Sequence, residues 1–171
     1  MSNEHFFVTG AMGCIGAWVV RNLVQSNAGV TVFDLSSNQH RPKLVMTDKE
    51  LVNIRFIAGD VTDTDTVKRS VSESGATHII HLGALQVPFC KADPPLGAAV
   101  NVVGTANMFE AAKEAGIDGV ICVDIPPEED DALGPALRAA EIAPIRLATP
   151  TTDDKRLPAV IQGSEGFLYY V

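Results

Sequence analysis

Four residues near the start of the chain have the types and spacing to hold a phosphate-bridged ligand. Gly10, Gly13 and Gly16 recur at every third position in FFVTGAMGCIGAWVVRNLV, and Asp34 closes the next apolar run, VTVFDL, with Leu35 beside it. Glycine at the first position permits a tight turn, at the second lets backbone approach a pyrophosphate, and at the third lets helix and strand pack closely. A helix starting there presents unpaired N–H groups and the positive end of its dipole to the anion. Asp34 stands about 20 residues past the glycines, where a carboxylate accepts hydrogen bonds from both ribose hydroxyls and repels a 2′-phosphate. The chemistry expected is binding of NAD in preference to NADP. The plainer alternatives are a simple tight turn and, for Asp34, a solvated loop carboxylate or helix cap.

Elements that could position these groups follow in βα alternation. Strand Phe6–Val8 leads into a helix with apolar positions Trp18, Val19, Val20, Leu23 and Val24, and then into strand Val30–Leu35. SSNQHRPKLVMTDKE reads as a polar loop and NIRFIAGD as a third strand ending at Asp60. A helix capped by Thr62 or Asp63 repeats Val67 and Val71, and the fourth strand, Thr77–Ala84, is apolar on both faces as a central parallel strand should be. A loop with Pro88, Pro94 and Pro95 precedes a long helix ending near Gly116, whose period is marked by Val100, Val103, Ala106, Phe109 and Ala112. GVICVD (119–124), APIRLAT and GFLYYV read as further strands. Between them lie a helix with prolines at its start that Pro135 should kink or divide, and a short helix interrupted by Pro158. The expected class is therefore α/β: a doubly wound, Rossmann-like open parallel sheet of about seven strands in the order 3-2-1-4-5-6-7. Its ligand should lie at the switch point after the first and fourth strands.

Composition narrows the partners. The 171 residues carry 13 basic and 21 acidic side chains, a net charge of −8 without a basic cluster, so nucleic acid and anionic membrane are poor partners. No apolar run reaches membrane-spanning length, and MSNEHFFV lacks the marks of a signal peptide. The cytosol is the expected compartment, that of a recombinant host if the chain is designed. Cys14, Cys90 and Cys122 are odd in number and far apart, which suggests neither disulfides nor a metal site. Cys14, at the helix start, reads as a buried inert thiol, with a dipole-favoured thiolate as the alternative.

Residues 3 to about 115 resemble the amino-terminal half of an extended short-chain dehydrogenase/reductase of the NAD-dependent epimerase/dehydratase, UDP-glucose 4-epimerase-like kind. The matching pieces are VTGAMGCIG, Asp34, AGDVTD, HIIHLGAL and NVVGTANMFEAA. The resemblance implies that Met12, Cys14 and Ile15 supply backbone near the phosphates and that Asp34 holds the adenosine ribose. It further implies that Asp60 and Val61 border the adenine, that Leu82, Gly83 and Ala84 line the centre of the cofactor, and that Asn101 stands behind it. A buried amide serving helix packing alone is the other reading of Asn101.

The family's acid–base machinery does not follow. Its Ser/Thr segment is replaced by GVICVDIPP, no Tyr-x-x-x-Lys occurs, and the only tyrosines are Tyr169 and Tyr170. Loss of the proton partner removes on the order of 10²–10⁴ in rate, so the chain is expected not to be an enzyme. Residues from about 116 to the end are instead similar to the middle of the tryptophan synthase α chain, a TIM barrel, through GVICVDIPPEE, PIRLATPTTDD and GFLYYV. A deliberate chimera follows as the expectation, a single α/β domain of residues 1–171. In it 1–115 form the dinucleotide-binding segment, and 116–171 a grafted βαβαβ segment completing the sheet, with the join near Ala112–Gly119. Asp124 and Tyr169 match pocket positions of the second family, but here Asp124 reads as a loop carboxylate and Tyr169 as a packed strand residue. The readings left are a chimera with weak NAD binding and no catalytic centre, a truncated NAD sensor, and a residual oxidoreductase using Asp124 or His81 as its acid. His81, inside an apolar strand, reads first as a hydrogen-bonded core histidine. The uncharged terminal strand, Gly166–Val171, invites edge pairing into a homodimer.

Overall fold

Strands β1 (His5–Thr9) and β2 (Gly29–Asp34) are rich in β-branched and aromatic residues, and Phe7, Val8, Thr9, Thr31 and Phe33 are wholly inaccessible to solvent. The computed structural model describes residues 4–123 and 125–171, which fall into two compact units, Met1–Ala115 and Gly116–Val171.

In the first unit the order is β1, α1 (Cys14–Gln25), β2, α2 (His40–Val45), α3 (Asp48–Leu51), β3 (Ile54–Ala58), α4 (Thr64–Ser74), β4 (His78–His81), α5 (Val87–Ala92), α6 (Pro94–Ala98), a π-helical stretch Ala99–Val103, and α7 (Gly104–Glu114). The strands pair in parallel in the order 3-2-1-4, with Phe6 opposite Val30 and His78. Successive side chains leave a strand on opposite faces, and two cores result. Val8, Val30 and Val32 pack with Val20 and Met46, while Phe7 and Phe33 pack with Val67, Val71 and Met108. Lys68 of α4 bridges Glu110 and Glu114 of α7 at 3.0 and 2.8 Å.

The second unit runs β5 (Gly119–Ile121), a 3₁₀ turn Pro127–Glu129, α8 (Leu133–Ala139), β6 (Ala143–Ala148), α9 (Leu157–Ile161) and β7 (Leu168–Tyr170). These strands are also parallel, in the order 5-6-7, with Gly119 opposite Ala143 and Arg146 opposite Leu168.

The parallel α/β class and the strand order within each segment are as the sequence predicts. Among the described residues the expected order 3-2-1-4-5-6-7 is seen as two paired sets, 3-2-1-4 and 5-6-7, in which β4 and β5 have only four and three residues. Several boundaries also differ. The polar loop after Asp34 folds into α2 and α3, the latter begun by a capping box in which Thr47 and Glu50 satisfy each other's backbone N–H groups. Pro88, Pro94, Pro95 and Pro158 start helices α5, α6 and α9 instead of breaking the chain, since a first-turn N–H has no helical partner to lose. Pro135 falls in the first turn of α8, and the predicted helix divides ahead of it. Asp124 lies outside the described residues.

Candidate functional site

The glycine turn is built as its spacing demands. Gly10 has φ +66°, and a Cβ there would lie 2.6 Å from the carbonyl carbon of Leu82, so the turn seats directly on the chain leaving β4. At Gly16 a Cβ would stand 2.2 Å from the Gly10 carbonyl oxygen, a contact only glycine permits. Gly13 is different: a Cβ there would meet that same oxygen at 3.0 Å and nothing else within 4 Å, so its flank is open to an approaching group. Gly13 is also the N-cap of α1, which has no side-chain cap and no acidic residue in its first turn. The free N–H groups of that turn suit an anion, and the residues present fit a pyrophosphate. Cys14 and Ile15 lie there exposed, which corrects the expectation of a buried Cys14 thiol: at the first helical position it faces away from the sheet.

Asp34 joins this turn. Its Oδ2 accepts the Met12 N–H at 2.9 Å and its Oδ1 accepts the Ser36 N–H at 2.9 Å, which fixes the carboxylate at the end of β2 beside Gly13. Each oxygen retains a lone pair for a hydroxyl. An open hollow of about 490 Å³ lies here, lined by residues that include Met12, Gly13, Asp34, Ser36, Asn38 and Arg41. Arg41 donates from Nη1 to the Met12 carbonyl at 3.3 Å. Leu35, next to Asp34, is exposed.

The far wall is held by a chain of hydrogen bonds whose direction is determined. Thr9 Oγ1 accepts the N–H groups of Leu82 and Gly83, both at 3.1 Å, so its own proton is left for His81 Nδ1 at 2.7 Å. His81 then carries its proton on Nε2 and donates to Thr105 Oγ1 at 3.2 Å, and Thr105 donates to the Asn101 carbonyl at 2.8 Å. Burial holds the His81 pKa below its usual value, which keeps this neutral tautomer. His81 is thus the hydrogen-bonded strand histidine expected. Asn101, in the π-helical stretch, accepts the Leu85 N–H at 2.7 Å and donates to the Leu85 carbonyl at 2.9 Å. Its amide therefore pins the segment that contains Ala84 to the helix.

Of the predicted site residues, Gly10 is brought against Leu82 and Gly83, Met12 against Asp34, and Val61 within 3.5 Å of the Cβ position of Gly83. Val61 also packs on Gly104 and accepts at its carbonyl from Asn107 Nδ2 at 2.9 Å. Asp60 is turned to its own loop, where Oδ1 accepts the Thr62 N–H at 2.9 Å. Thr9, Arg41 and Thr105 were not singled out from the sequence. Only Thr9, adjoining the first glycine, carried a local signal. Among the described residues no group of three His, Cys, Asp or Glu side chains could hold a metal ion, and no helix is long and apolar enough to cross a membrane.

In the second unit the most structured polar group is a buried ion pair. Arg146 Nη2 bonds Asp130 Oδ2, with side-chain exposures of 10% and 2%, and Asp130 Oδ1 accepts the Gly134 N–H at 2.7 Å. That N–H, reinforced by Arg146, holds the Asp130 pKa below the usual carboxylate value. Tyr169 is exposed, not packed, because β7 is an edge strand with all three residues open to solvent.

Fold and turn together define a Rossmann-type α/β protein. The family model for GDP-mannose 4,6 dehydratase matches residues 7–123, and the chain belongs to that family. The model for the tryptophan synthase alpha chain matches residues 98–171. The alpha chain of Rhizorhabdus wittichii is 81% identical over 62 residues, 36% of this chain and 22% of that one. That of Novosphingobium aromaticivorans is 43% identical over 169 residues, 96% of this chain and 59% of that one. Among solved structures, the UDP-glucose 4-epimerase of Thermus thermophilus in complex with NAD superposes with TM-score 0.65 at 20% identity, over 85% of this chain and 55% of that one. The enzyme WbmG of Bordetella bronchiseptica, in complex with NAD, gives 0.60 at 22%, over 86% and 53%. Identities this low show the fold alone. The chain spans 22% and 59% of the two curated relatives.

The chain is accordingly a chimera of an epimerase/dehydratase segment and a tryptophan synthase alpha segment, whose matches overlap at residues 98–123. The expectation that it is not an enzyme is overturned: both parts match enzyme families. The missing Tyr-x-x-x-Lys concerns one acid–base pair and leaves the family match over residues 7–123 as it is.

Proposed function

We propose that the chain is a deliberately joined chimera, one domain in design, that binds NAD weakly through residues 1–115. One observation carries the reading: Asp34, fixed on Met12, stands beside the open flank of Gly13 and the uncapped first turn of α1. That juxtaposes a place for ribose with a place for diphosphate. The backbone of Met12, Cys14 and Ile15 faces the phosphates, and Asp34, with Leu35 alongside, takes the ribose. Asp60 and Val61 border the adenine, Leu82, Gly83 and Ala84 the middle of the cofactor, and Asn101 acts through Leu85. That two solved neighbours hold NAD supports this assignment. NAD, when bound, supplies hydride chemistry, and the chain's own residues bind and orient it. Affinity is reduced because the serine, tyrosine and lysine that hold the nicotinamide end in the resembled family are missing.

Titration calorimetry tests the reading. Weak NAD binding is expected, lost in Asp34→Ala and in Gly13→Val; wild-type affinity in both variants would remove the glycine turn from the reading. A residual oxidoreductase role is favoured by the enzyme family of residues 7–123. NADH oxidation above buffer over a panel of sugars and hydroxy acids would assign it. The free cysteines suit a cytosolic setting. The exposed apolar run Phe167–Val171 favours a homodimer through the β7 edge.

A further inference from the structure

Among the described residues, strand β7 is the last of the set 5-6-7 and is paired from one side. Toward β6, the Val171 N–H donates to the Ala148 carbonyl at 2.9 Å and the Glu165 N–H to the Pro144 carbonyl at 3.0 Å, with Arg146 opposite Leu168 and Leu147 opposite Tyr169. Backbone groups alternate in direction along a strand, so residues 169 and 171 face β6, and the N–H and C=O of Leu168 and Tyr170 point away from it. Edge strands are commonly guarded by charge or proline, yet residues 166–171 carry neither. Phe167, Leu168, Tyr169, Tyr170 and Val171 each expose between 38 and 68% of their surface. Since a fully covered aromatic buries about 150–250 Å², the run offers roughly 500 Å² of mostly apolar surface on one copy. Two copies meeting here would bury on the order of 1,000 Å², the lower bound of a specific interface.

We propose that a second copy of this chain pairs antiparallel on β7 about a two-fold axis at Tyr169, with Leu168 of each copy hydrogen-bonded to Tyr170 of the other. The inference rests on the homodimer reading above and fixes its register. A two-fold contact between like edges must be self-complementary, and only registers that set outward-facing residue against outward-facing residue form hydrogen bonds. An axis at Leu168 puts Tyr170 opposite Gly166, whose φ of +74° takes it out of the extended range. An axis at Tyr170 leaves Leu168 with no residue of β7 opposite it. The axis at Tyr169 satisfies the outward N–H and C=O of both residues in both copies. It also sets Leu168 beside Tyr170 on one face and Tyr169 against Tyr169 on the other, cross-strand pairs of the stabilising apolar kind. The two Glu165 carboxylates then lie at opposite ends of the pairing, roughly 20 Å or more apart, too far to repel at physiological salt. Each sheet continues into the other in the order 5-6-7-7-6-5, and the small area makes the dimer reversible.

The experiment is sedimentation of the whole chain over a concentration series, joined to oxidative cross-linking of cysteine variants on β7. Wild-type protein should self-associate reversibly. Tyr170→Pro removes an outward N–H that β6 does not use, so the fold should stand while association weakens by on the order of tenfold or more. With oxidised glutathione, Tyr169→Cys should form a disulfide between copies at residue 169, located by peptide mass mapping, because non-hydrogen-bonded antiparallel partners stand about 4.5 Å apart at Cα. Leu168→Cys and Tyr170→Cys should each give at least about fivefold less of the like-to-like product, since diagonal neighbours lie about 7–8 Å apart. Mixed together, those two variants should cross-link to each other. Like-to-like cross-linking as strong at 168 or 170 as at 169, with association still weakened by Tyr170→Pro, would overturn this register and leave the edge dimer standing. A wild-type chain that stays monomeric, or association untouched by Tyr170→Pro, would overturn both.

Discussion

The two parts of this chain obey the same βα grammar and bury their sheets differently. In residues 4–115 both faces of the sheet are covered by distinct apolar clusters, and polar groups gather where the strands end, around Asp34, Thr9 and His81. In residues 116–171 the buried apolar set is small, comprising Leu137, Ile142, Ile145, Ala148 and Val160. The deepest polar feature is the Asp130–Arg146 pair, and β7 is open along its length. The first part carries a half-fold whose layers are complete, the second a fragment whose relatives are several times longer. Parallel pairing needs only neighbouring strands, whereas burial needs a complete layer on each face.

Breaking the second part should produce the largest effect. Asp130→Ala leaves the Arg146 guanidinium buried without a counter-charge, a loss of about 3–5 kcal/mol. Hydrogen exchange should show protection lost in 116–171 and retained in 4–115. Loss in both would mean that the two do not fold as the separate units their contacts describe.

Gly10→Ala attacks the first part at its positive φ and at the 2.6 Å approach to Leu82. We expect a loss of roughly 2–4 kcal/mol by denaturant unfolding, with NAD binding abolished. A change below about 0.5 kcal/mol would mean that the turn does not seat on the β4 segment.

Acid should separate the two regions by pH. The His81 pKa is lowered by burial from its ordinary 6.5, so the unfolded chain takes up that proton first. Stability from this source is unaffected above 6.5 and falls as pH drops below it toward the folded value. Asp130 is lowered from 3.8 by the Gly134 N–H and Arg146, so its contribution is present above 3.8 and is lost as pH falls through its folded value. Protection in 4–115 should thus weaken before that in 116–171, and His81→Gln should remove the earlier phase. Simultaneous weakening would erase the distinction.

Smallest in stability is Tyr170→Lys, on an edge strand with 68% of the residue exposed. Unfolding should shift by no more than about 0.5 kcal/mol, while sedimentation should show less self-association. Unchanged association would place any dimer contact elsewhere.

What was legible in the sequence depended on how local its cause was. The glycine turn and Asp34 could be read because each glycine answers a backbone requirement within a few residues. The capping box at Thr47 and Glu50 is equally local but lies hidden inside a polar stretch. Pro88, Pro94 and Pro158 read as breakers because their position relative to a helix start is invisible until the start itself is known. The Arg41 contact with Met12 crosses 29 residues, and Thr9 meets His81 across 72. No periodicity encodes such meetings.

By itself, then, the amino-acid order determined the βα alternation, the parallel class, the nucleotide-type turn and the double ancestry, since these follow from side-chain period, glycine placement and motif. Tertiary structure alone decided how long β4 and β5 are and that Arg41 lines the hollow beside Asp34. It also decided that the His81 proton sits on Nε2, by sending the Thr9 hydroxyl toward Nδ1. Those outcomes depend on which groups meet across the sheet and on how many partners each has left, quantities that come into being only when the chain has folded.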